Sequence, residues 1–276
     1  MFDRVSRSWE LAKASASVLR SDKELLLFPV LSGLAAMIVA ATFLVPAFAM
    51  KVFDGDAGVG SFVLGFLFYL CQYFVIFFFN AALVAAAMIR LEGGDPTVAD
   101  GLRAARERIG PILGYAAIAA TVGMLLQALR NRDNNFIVRM VGSLLGVAWT
   151  MASFLVVPVL VQQNVGPIDA IKRSVELLKR TWGENAIGNV GIGLVFGIAM
   201  FALIALGVLL VILAASASGA LAVTVAVFVA LAAVTLGIVQ SALAGIYSAA
   251  LYRYATVGEA PAGFAGTGLQ TAFSPR

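Results

Sequence analysis

The long apolar stretches of this sequence hold few side chains that could do chemistry. They contain the amides Gln72, Asn80 and Gln240 and the thiol of Cys71, but no Asp, Glu, Lys or Arg. The chain has no histidine, which removes the commonest general base and the commonest transition-metal ligand. An amide can hydrogen-bond to a neighbouring helix or line a polar vestibule. We therefore expect no catalytic residue, no metal site and no cofactor.

The wider motif search leads to the same expectation. Cys71 has no histidine to activate it, and a thiol in apolar surroundings is inert. No lysine lies in an apolar stretch, so a Ser–Lys dyad cannot form there. The sequence has no phosphate loop, metal-ligand spacing or dinucleotide fingerprint. We expect a protein that is not an enzyme, and its candidate intramembrane polar contacts are Gln72, Asn80, Gln240 and Asn189.

Composition identifies the elements that must position these residues. The 276 residues are 61% hydrophobic and 12% charged, with a mean hydropathy of +0.97. This excludes a soluble enzyme, a disordered chain and a nucleic-acid binder. A bilayer core about 30 Å thick needs about 20 apolar residues in a helix. Six uncharged stretches are long enough: Leu25–Met50, Ser61–Ile89, Ile112–Leu129, Met140–Gln162, Ala186–Ala214 and Gly219–Tyr247.

The distribution of basic residues predicts the orientation of these six spans. Fifteen of the 19 Lys and Arg residues lie on the side that carries both termini. Five precede the first span, four lie in each connection that follows an even-numbered span, and two follow the last span. Cytoplasmic segments carry such an excess. We expect a bacterial inner-membrane protein with both termini in the cytoplasm.

Three segments on that side share one helical pattern. Apolar residues of the first recur as Val5, Trp9, Ala12, Ala16 and Leu19, and similar spacings begin at Val98 and at Ile171. Each is typical of an amphipathic helix that lies at the membrane interface. When the three stripes are aligned, one position holds the candidate headgroup contacts Lys13, Arg106 and Lys179.

The predicted fold is therefore an all-α bundle of six transmembrane helices with three cytoplasmic interfacial amphipathic helices. One membrane domain spans 1–255, built from three repeats of an amphipathic helix and a two-span hairpin, at about 3–89, 95–162 and 167–250. Residues 256–276 form a tail that is expected to be disordered. Asn80 and Gln240 both fall past the midplane toward the cytoplasm, where they could bond to each other.

Three further patterns carry expectations about packing. Five glycines in the fifth span, among them Gly193 and Gly197, predict a tightly packed central helix. Pro158 is expected to kink the fourth span. Tyr247 and Tyr252 stand where the last span leaves the membrane, as in an interfacial aromatic belt.

Several motifs resemble one family. They are Arg7-Ser8-Trp9-Glu10-Leu11, Asp95-Pro96-Thr97-Val98, and the stretch from Lys172-Arg173-Ser174 to Thr181-Trp182-Gly183-Glu184. Together they resemble an uncharacterised bacterial family of integral membrane proteins, domain of unknown function 6159, from about residue 4 to residue 255. The resemblance implies a membrane fold and no known activity. The family pattern leads us to expect an acidic residue after Val161, where this chain has Gln162.

Two functions fit these observations. The first is a non-enzymatic scaffold or lipid-associated envelope factor, with membrane lipids as partners and no nucleic acid. The alternative is a permease or channel for a small solute, which the amides Gln162, Gln163, Asn164, Asn185 and Asn189 near the cytoplasmic face would favour. A cavity that reaches the midplane and is lined by Gln72, Asn80 or Gln240 would distinguish the two, and a bundle packed solid by Leu, Val, Ala and Phe would exclude the permease.

Overall fold

The computed structural model describes residues 2–49, 59–131, 136–182 and 190–259, together with Pro261 and Phe264. Within these residues the protein is helical and has no strand. Six described segments are long and apolar enough to cross a membrane, which confirms the number of spans and indicates a multi-pass membrane protein. They are Lys23–Phe48, Val59–Leu91, Ile109–Leu129, Met140–Gln162, Val195–Ala217 and Gly219–Val257.

The helices follow the order expected from the apolar runs. A 3-10 helix, Lys23–Leu26, separates α1 from α2. The α-helices are α1 (Phe2–Ser21), α2 (Leu27–Ala49), α3 (Val59–Leu91), α4 (Val98–Glu107), α5 (Ile109–Asn131), α6 (Phe136–Ser153), α7 (Val156–Gln162), α8 (Pro167–Trp182), α9 (Val190–Ala217) and α10 (Gly219–Val257). We call the end of the bundle that carries α1, α4 and α8 the charged end.

The fourth span consists of two helices, because its proline interrupts the backbone ladder. Pro158 has no N–H to donate to the carbonyl of Phe154, and its ring would collide with that carbonyl. Helix α6 ends at Ser153 and α7 begins at Val156. At the break, the backbone N–H of Leu155 donates to the hydroxyl of Ser174 on α8, at 3.1 Å. The expected kink is therefore a full break, and α8 supplies an acceptor for a backbone N–H at that break.

The protein core lies toward the charged end. Eight consecutive residues of α3, Ala81 to Met88, are buried, as are Val156 to Leu160 of α7 and Gly245 to Tyr252 of α10. The three helices contact one another. Alanine and glycine allow this close approach, since a Cβ atom added at Gly245 would lie only 2.4 Å from Cδ2 of Leu83.

The opposite halves of the spans expose most of their large apolar side chains, as a lipid-facing surface does. Helix α9 illustrates this, with Ile198, Phe201 and Ile212 more than half exposed. Among the glycines of this span that the structure describes, nothing lies within 4 Å of a Cβ added at Gly193 or Gly197, whereas Gly207 meets a close neighbour, Val229. The pair Gly193 and Gly197 therefore makes no close helix contact, and the expectation that the fifth span is the central helix is wrong. The central helix is α3, which contacts α2, α4, α5, α7 and α10.

Each helix at the charged end packs against the second span of a hairpin, and this hairpin is not the one that follows the helix in the chain. Helix α4 packs on α3, α8 packs on α7 and α6, and α1 packs on α10 and α9. Their buried contacts include Ala12, Ala105 and Leu178, which belong to the three predicted stripes. The side chains of Lys13, Arg106 and Lys179 are exposed. The N-terminal helix thus rests on the C-terminal hairpin.

Helix α4 begins with a capping box. The hydroxyl of Thr97 accepts the backbone N–H of Asp100, and the Asp100 carboxylate accepts the backbone N–H of Thr97. The hydroxyl of Thr97 also donates to the Asp100 carboxylate at 2.6 Å. This bond, with the backbone N–H of Thr97, holds the pKa of Asp100 below its ordinary value, because both favour the charged carboxylate. One turn further along, Gly101 is buried, and a Cβ added there would lie 2.6 Å from both the carbonyl oxygen of Ala82 and Cζ of Phe28. Helix α4 therefore rests directly on the backbone of α3.

Two other expectations concern the last span and the tail. Tyr247 and Tyr252 are buried in the core, so the expectation that they form an interfacial belt is wrong. Helix α10 continues to Val257 and ends at Gly258, whose φ of +83° is the left-handed conformation that favours glycine. Phe264 is also buried. Most of the predicted 256–276 tail lies outside the described residues.

Candidate ligand cavity

A cavity of about 210 Å³ lies between α2, α3 and α10. The three helices and the break in the fourth span contribute its walls. None of the lining residues is charged or titratable near neutral pH: they are Phe28, Pro29, Ser32, Ile76, Phe79, Asn80, Leu83, Phe154, Ser241, Ala244, Gly245 and Ser248. The cavity therefore offers hydroxyl and amide groups on an otherwise apolar surface.

Helical geometry explains which side chains reach the cavity. On α3 the lining residues recur at i, i+3, i+4 and i+7 from Ile76, and on α10 they recur at the same spacing from Ser241. Such residues share one face of a helix. Gly245 brings these two faces together, because the absence of a side chain leaves room for Leu83 and for Asn80, whose Oδ1 would lie 3.5 Å from an added Cβ.

Burial of the lining residues falls steadily along the cavity. At the charged end Phe28, Leu83, Gly245 and Ser248 are buried. At the other side Ile76 is 43% exposed, and Ser241 and Ala244 are also exposed. All three lie inside the apolar spans. The cavity is thus closed toward the charged end, and it opens at Ile76, Ser241 and Ala244, which we call the mouth.

The polar groups of the cavity differ in how they are used. Ser248 donates its hydroxyl to the carbonyl oxygen of Gly245 on its own helix, at 2.9 Å. Asn80, Ser32 and Ser241 have no hydrogen-bond partner among the residues that the structure describes. An amide provides two donors and an acceptor. The side chain of Asn80 therefore keeps its full hydrogen-bonding capacity for something outside the described protein groups.

Of the four predicted intramembrane residues, three lie in the described part of the chain, and the structure separates them. Asn80 lines the cavity. Gln72 lies elsewhere and donates from Nε2 to the backbone carbonyl of Ala36 at 3.1 Å, which joins α3 to α2. Gln240 is half-buried and not among the lining residues, and within the described part of the chain no hydrogen bond joins it to Asn80. Asn189 lies outside the described residues.

The amides near the charged end join helices to one another. Nε2 of Gln163 donates to the hydroxyl of Tyr252 at 2.9 Å, and its Oε1 accepts a hydrogen bond from Arg173. Oδ1 of Asn164 accepts from Arg108. These contacts tie the turn after α7 to α10, α8 and the start of α5. Asn185 lies outside the described residues.

Sequence reasoning identified Asn80 but missed the serines on the facing helix. The available signal was a spacing that α3 and α10 share. On α10, Ser241 lies four residues before Gly245 and Ser248 lies three residues after it. On α3, Ile76 and Leu83 lie at the same offsets from Asn80. Because serine is common in membrane helices and usually bonds to its own backbone, that spacing acquires meaning only when the two helices are known to face each other.

Comparison with known proteins places the chain in a family. No curated protein and no solved structure matches it. One family model matches residues 59–264, which include α3, both cavity faces of α3 and α10, and the break in the fourth span. The chain belongs to this family, which is described as a family of unknown function (DUF6159).

Proposed function

We propose that this protein is a non-enzymatic, multi-pass protein of the bacterial inner membrane that binds a membrane lipid in the cavity. The supporting observation is the position of the mouth. Ile76, Ser241 and Ala244 are exposed within the apolar spans, where the surrounding solvent is hydrocarbon. The cavity is closed at the charged end by buried residues. A ligand would therefore come from the bilayer rather than from the aqueous phase.

A lipid fits the cavity better than a solute in transit. A permease needs polar groups that continue along the spans. Gln72 is the next amide along α3 from Asn80, two turns away, and its side chain is bonded to the backbone of α2. Binding at Asn80 is therefore favoured over conduction past it. A permease or channel for a small solute, such as an anion, remains the alternative that the second experiment below tests.

The repeat architecture is part of this proposal. Three units, at about 3–89, 95–162 and 167–250, each contain one interfacial helix and one hairpin, and they are arranged around an axis along the membrane normal. The packing of α4 on α3, of α8 on α7 and of α1 on α10 supports this arrangement, because each interfacial helix then contacts the second span of the preceding unit. The excess of Lys and Arg supports a cytoplasmic location of both termini, where Lys13, Arg106 and Lys179 would contact lipid headgroups.

Lipid occupancy of the cavity can be measured on the purified full chain. Ala244→Leu fills the mouth, whereas Ala230→Leu makes the same change at an exposed position of α10 outside the cavity. Lipids retained through purification are extracted and quantified by mass spectrometry. We expect Ala244→Leu to lose a bound lipid that the wild type and Ala230→Leu retain. Equal retention in all three proteins would contradict lipid binding in the cavity.

The alternative function needs a separate experiment. The wild-type protein is reconstituted in liposomes, and the flux of anions, cations and small neutral solutes is recorded. We expect no flux above that of protein-free liposomes. The contrary result would be a flux of some solute that is lost in Asn80→Leu and kept in Gln72→Leu. That result would overturn the lipid-binding proposal in favour of the permease.

A further inference from the structure

We propose that the ligand is an uncharged lipid whose head carries both a hydroxyl and an ester carbonyl, that is, a diglyceride, and that Asn80 recognises this head. The inference rests on the proposed lipid-binding function and specifies its ligand. Four observations lead to it: the charge of the cavity, its depth, its size and the free groups in its wall.

The charge of the cavity excludes ordinary phospholipid heads. Its twelve lining residues include no Lys, Arg, Asp or Glu. A phosphate or ammonium group placed there would lose its hydration and gain no oppositely charged partner, which is strongly unfavourable. A hydroxyl or an ester loses far less and can be compensated by hydrogen bonds alone. The head that the cavity accommodates is therefore neutral.

The depth of the cavity supports the same conclusion. Asn80 lies five residues past the centre of the apolar stretch Ser61–Ile89, which is about 7 Å from the midplane toward the charged end. A hydrocarbon core is about 30 Å thick, so Asn80 lies inside it, about halfway between the midplane and the interface. Charged heads stay at the interface because moving an ion into the core is costly. A neutral diglyceride head can reach this depth without that cost.

The size of the cavity limits what it can hold. Pockets for drug-sized ligands are about 300–1,000 Å³, whereas this cavity is about 210 Å³. It is therefore large enough for a glycerol-sized head and too small for the acyl chains as well. The mouth at Ile76, Ser241 and Ala244 opens within the spans, so the chains would extend from it into the bilayer.

The free polar groups in the wall match a head that both donates and accepts. The amide of Asn80 can donate to an ester carbonyl and accept from a hydroxyl. The hydroxyls of Ser32 and Ser241 supply further donors and acceptors, and none of the three side chains has a partner among the described residues. A hydrocarbon chain alone would leave all of these groups unsatisfied. A diglyceride head satisfies them.

The test uses the full chain in phosphatidylcholine nanodiscs that contain a trace of photoactivatable diglyceride, with labelling read by mass spectrometry. Asn80→Leu removes the amide without removing a hydrogen bond between described residues, so this variant should fold. Gln72→Leu makes the same substitution two turns away, outside the cavity. We expect labelling near the mouth in the wild type and in Gln72→Leu, and about tenfold weaker labelling in Asn80→Leu. Asn80→Gln, which keeps an amide, should restore part of the labelling.

Competition between lipids distinguishes the diglyceride inference from the lipid-binding function on which it rests. Unlabelled diglyceride should displace the probe, and phosphatidylglycerol should not. Displacement by both lipids would overturn the neutral-head inference and leave lipid binding in place. Labelling that is unaffected by Asn80→Leu would overturn the role of Asn80. If the wild type is labelled neither by the diglyceride nor by a photoactivatable phospholipid, the proposed function itself is wrong.

Discussion

The hydroxyl of Ser174 accepts the backbone N–H of Leu155 at a distance of 3.1 Å. Ser174 lies on α8, at the charged end, and Leu155 lies at the break between α6 and α7. Both residues are fully buried. Because Pro158 interrupts the helix ladder at this point, a side chain on another helix completes the hydrogen bonding of a span. Helix α8 is therefore joined to the fourth span by a buried hydrogen bond as well as by packing.

Removing that hydroxyl should destabilise the protein. In Ser174→Ala the buried N–H of Leu155 loses its acceptor, which costs about 1–3 kcal/mol. Ser216→Ala is the matched control, because Ser216 is exposed and its hydroxyl bonds only to a carbonyl of its own helix. The free energy of unfolding in detergent should fall for Ser174→Ala and stay unchanged for the control. Equal stability of both variants would show that the Leu155 N–H does not depend on Ser174.

Gly101 should tolerate no side chain, because α4 rests on the backbone of α3. The Cβ of Gly101→Ala would lie 2.6 Å from the carbonyl oxygen of Ala82, and a backbone atom cannot move aside cheaply. We expect a loss of about 1–3 kcal/mol in unfolding free energy. Gly110→Ala is the control, since nothing lies within 4 Å of its added Cβ, and alanine favours the helix. A Gly101→Ala protein as stable as Gly110→Ala would contradict this close contact.

The number of spans could be predicted from the sequence because each is an uninterrupted apolar run of membrane length. The break at Pro158 could be anticipated, since a proline removes one donor wherever it stands. The residue that accepts the N–H of Leu155 at this break could not be predicted, because Ser174 follows Leu155 by 19 residues and nothing local distinguishes it from other serines. Periodicity reveals the face of a helix, but it does not reveal which other helix that face meets.

Glycine and tyrosine show the same limit. Gly193 and Gly197 have the spacing of a close helix contact, yet both face open space, whereas isolated Gly101 and Gly245 make the close contacts. A glycine permits close approach only where another helix is present. Tyr247 and Tyr252 end a span, as belt residues do, but the packing of α10 against the core buries them. The residue type alone identifies Asn80 as unusual within an apolar span. The cavity beside it could not be predicted, because residues of several helices form its walls.

Gln163 should contribute to stability through two neighbours on different helices. Its amide donates to Tyr252 on α10 and accepts from Arg173 on α8. Gln163→Leu loses both hydrogen bonds, and we expect a cost of about 1–2 kcal/mol. Gln162→Leu changes the adjacent exposed amide, which has no partner among the described residues. Thermal unfolding of the two variants side by side should show a lower midpoint for Gln163→Leu alone.

Asp22 should give the protein a distinctive dependence on pH. Its carboxyl is buried, and burial raises its pKa above the ordinary value of 3.8, with Glu24 and Asp95 adding to the rise while the N–H of Glu24 and the charge of Arg90 oppose it. The folded state therefore binds the proton more tightly than the unfolded state does. This contribution to stability is fully present below about pH 3.8 and is lost as the pH rises through the folded pKa.

Asp22→Asn should therefore be more stable than the wild type at neutral pH. Asparagine keeps the side-chain oxygen that accepts the N–H of Glu24 and carries no charge into the buried site. The gain should shrink as the pH falls toward 3.8, because the wild-type carboxyl then becomes neutral as well. Asp169→Asn serves as the control, since Asp169 is exposed and pairs with Lys172 at the surface. The free energy of unfolding of the wild type and both variants is measured between pH 4 and pH 7. If Asp22→Asn is less stable than the wild type at neutral pH, the charged carboxylate, attracted by Arg90, stabilises the fold.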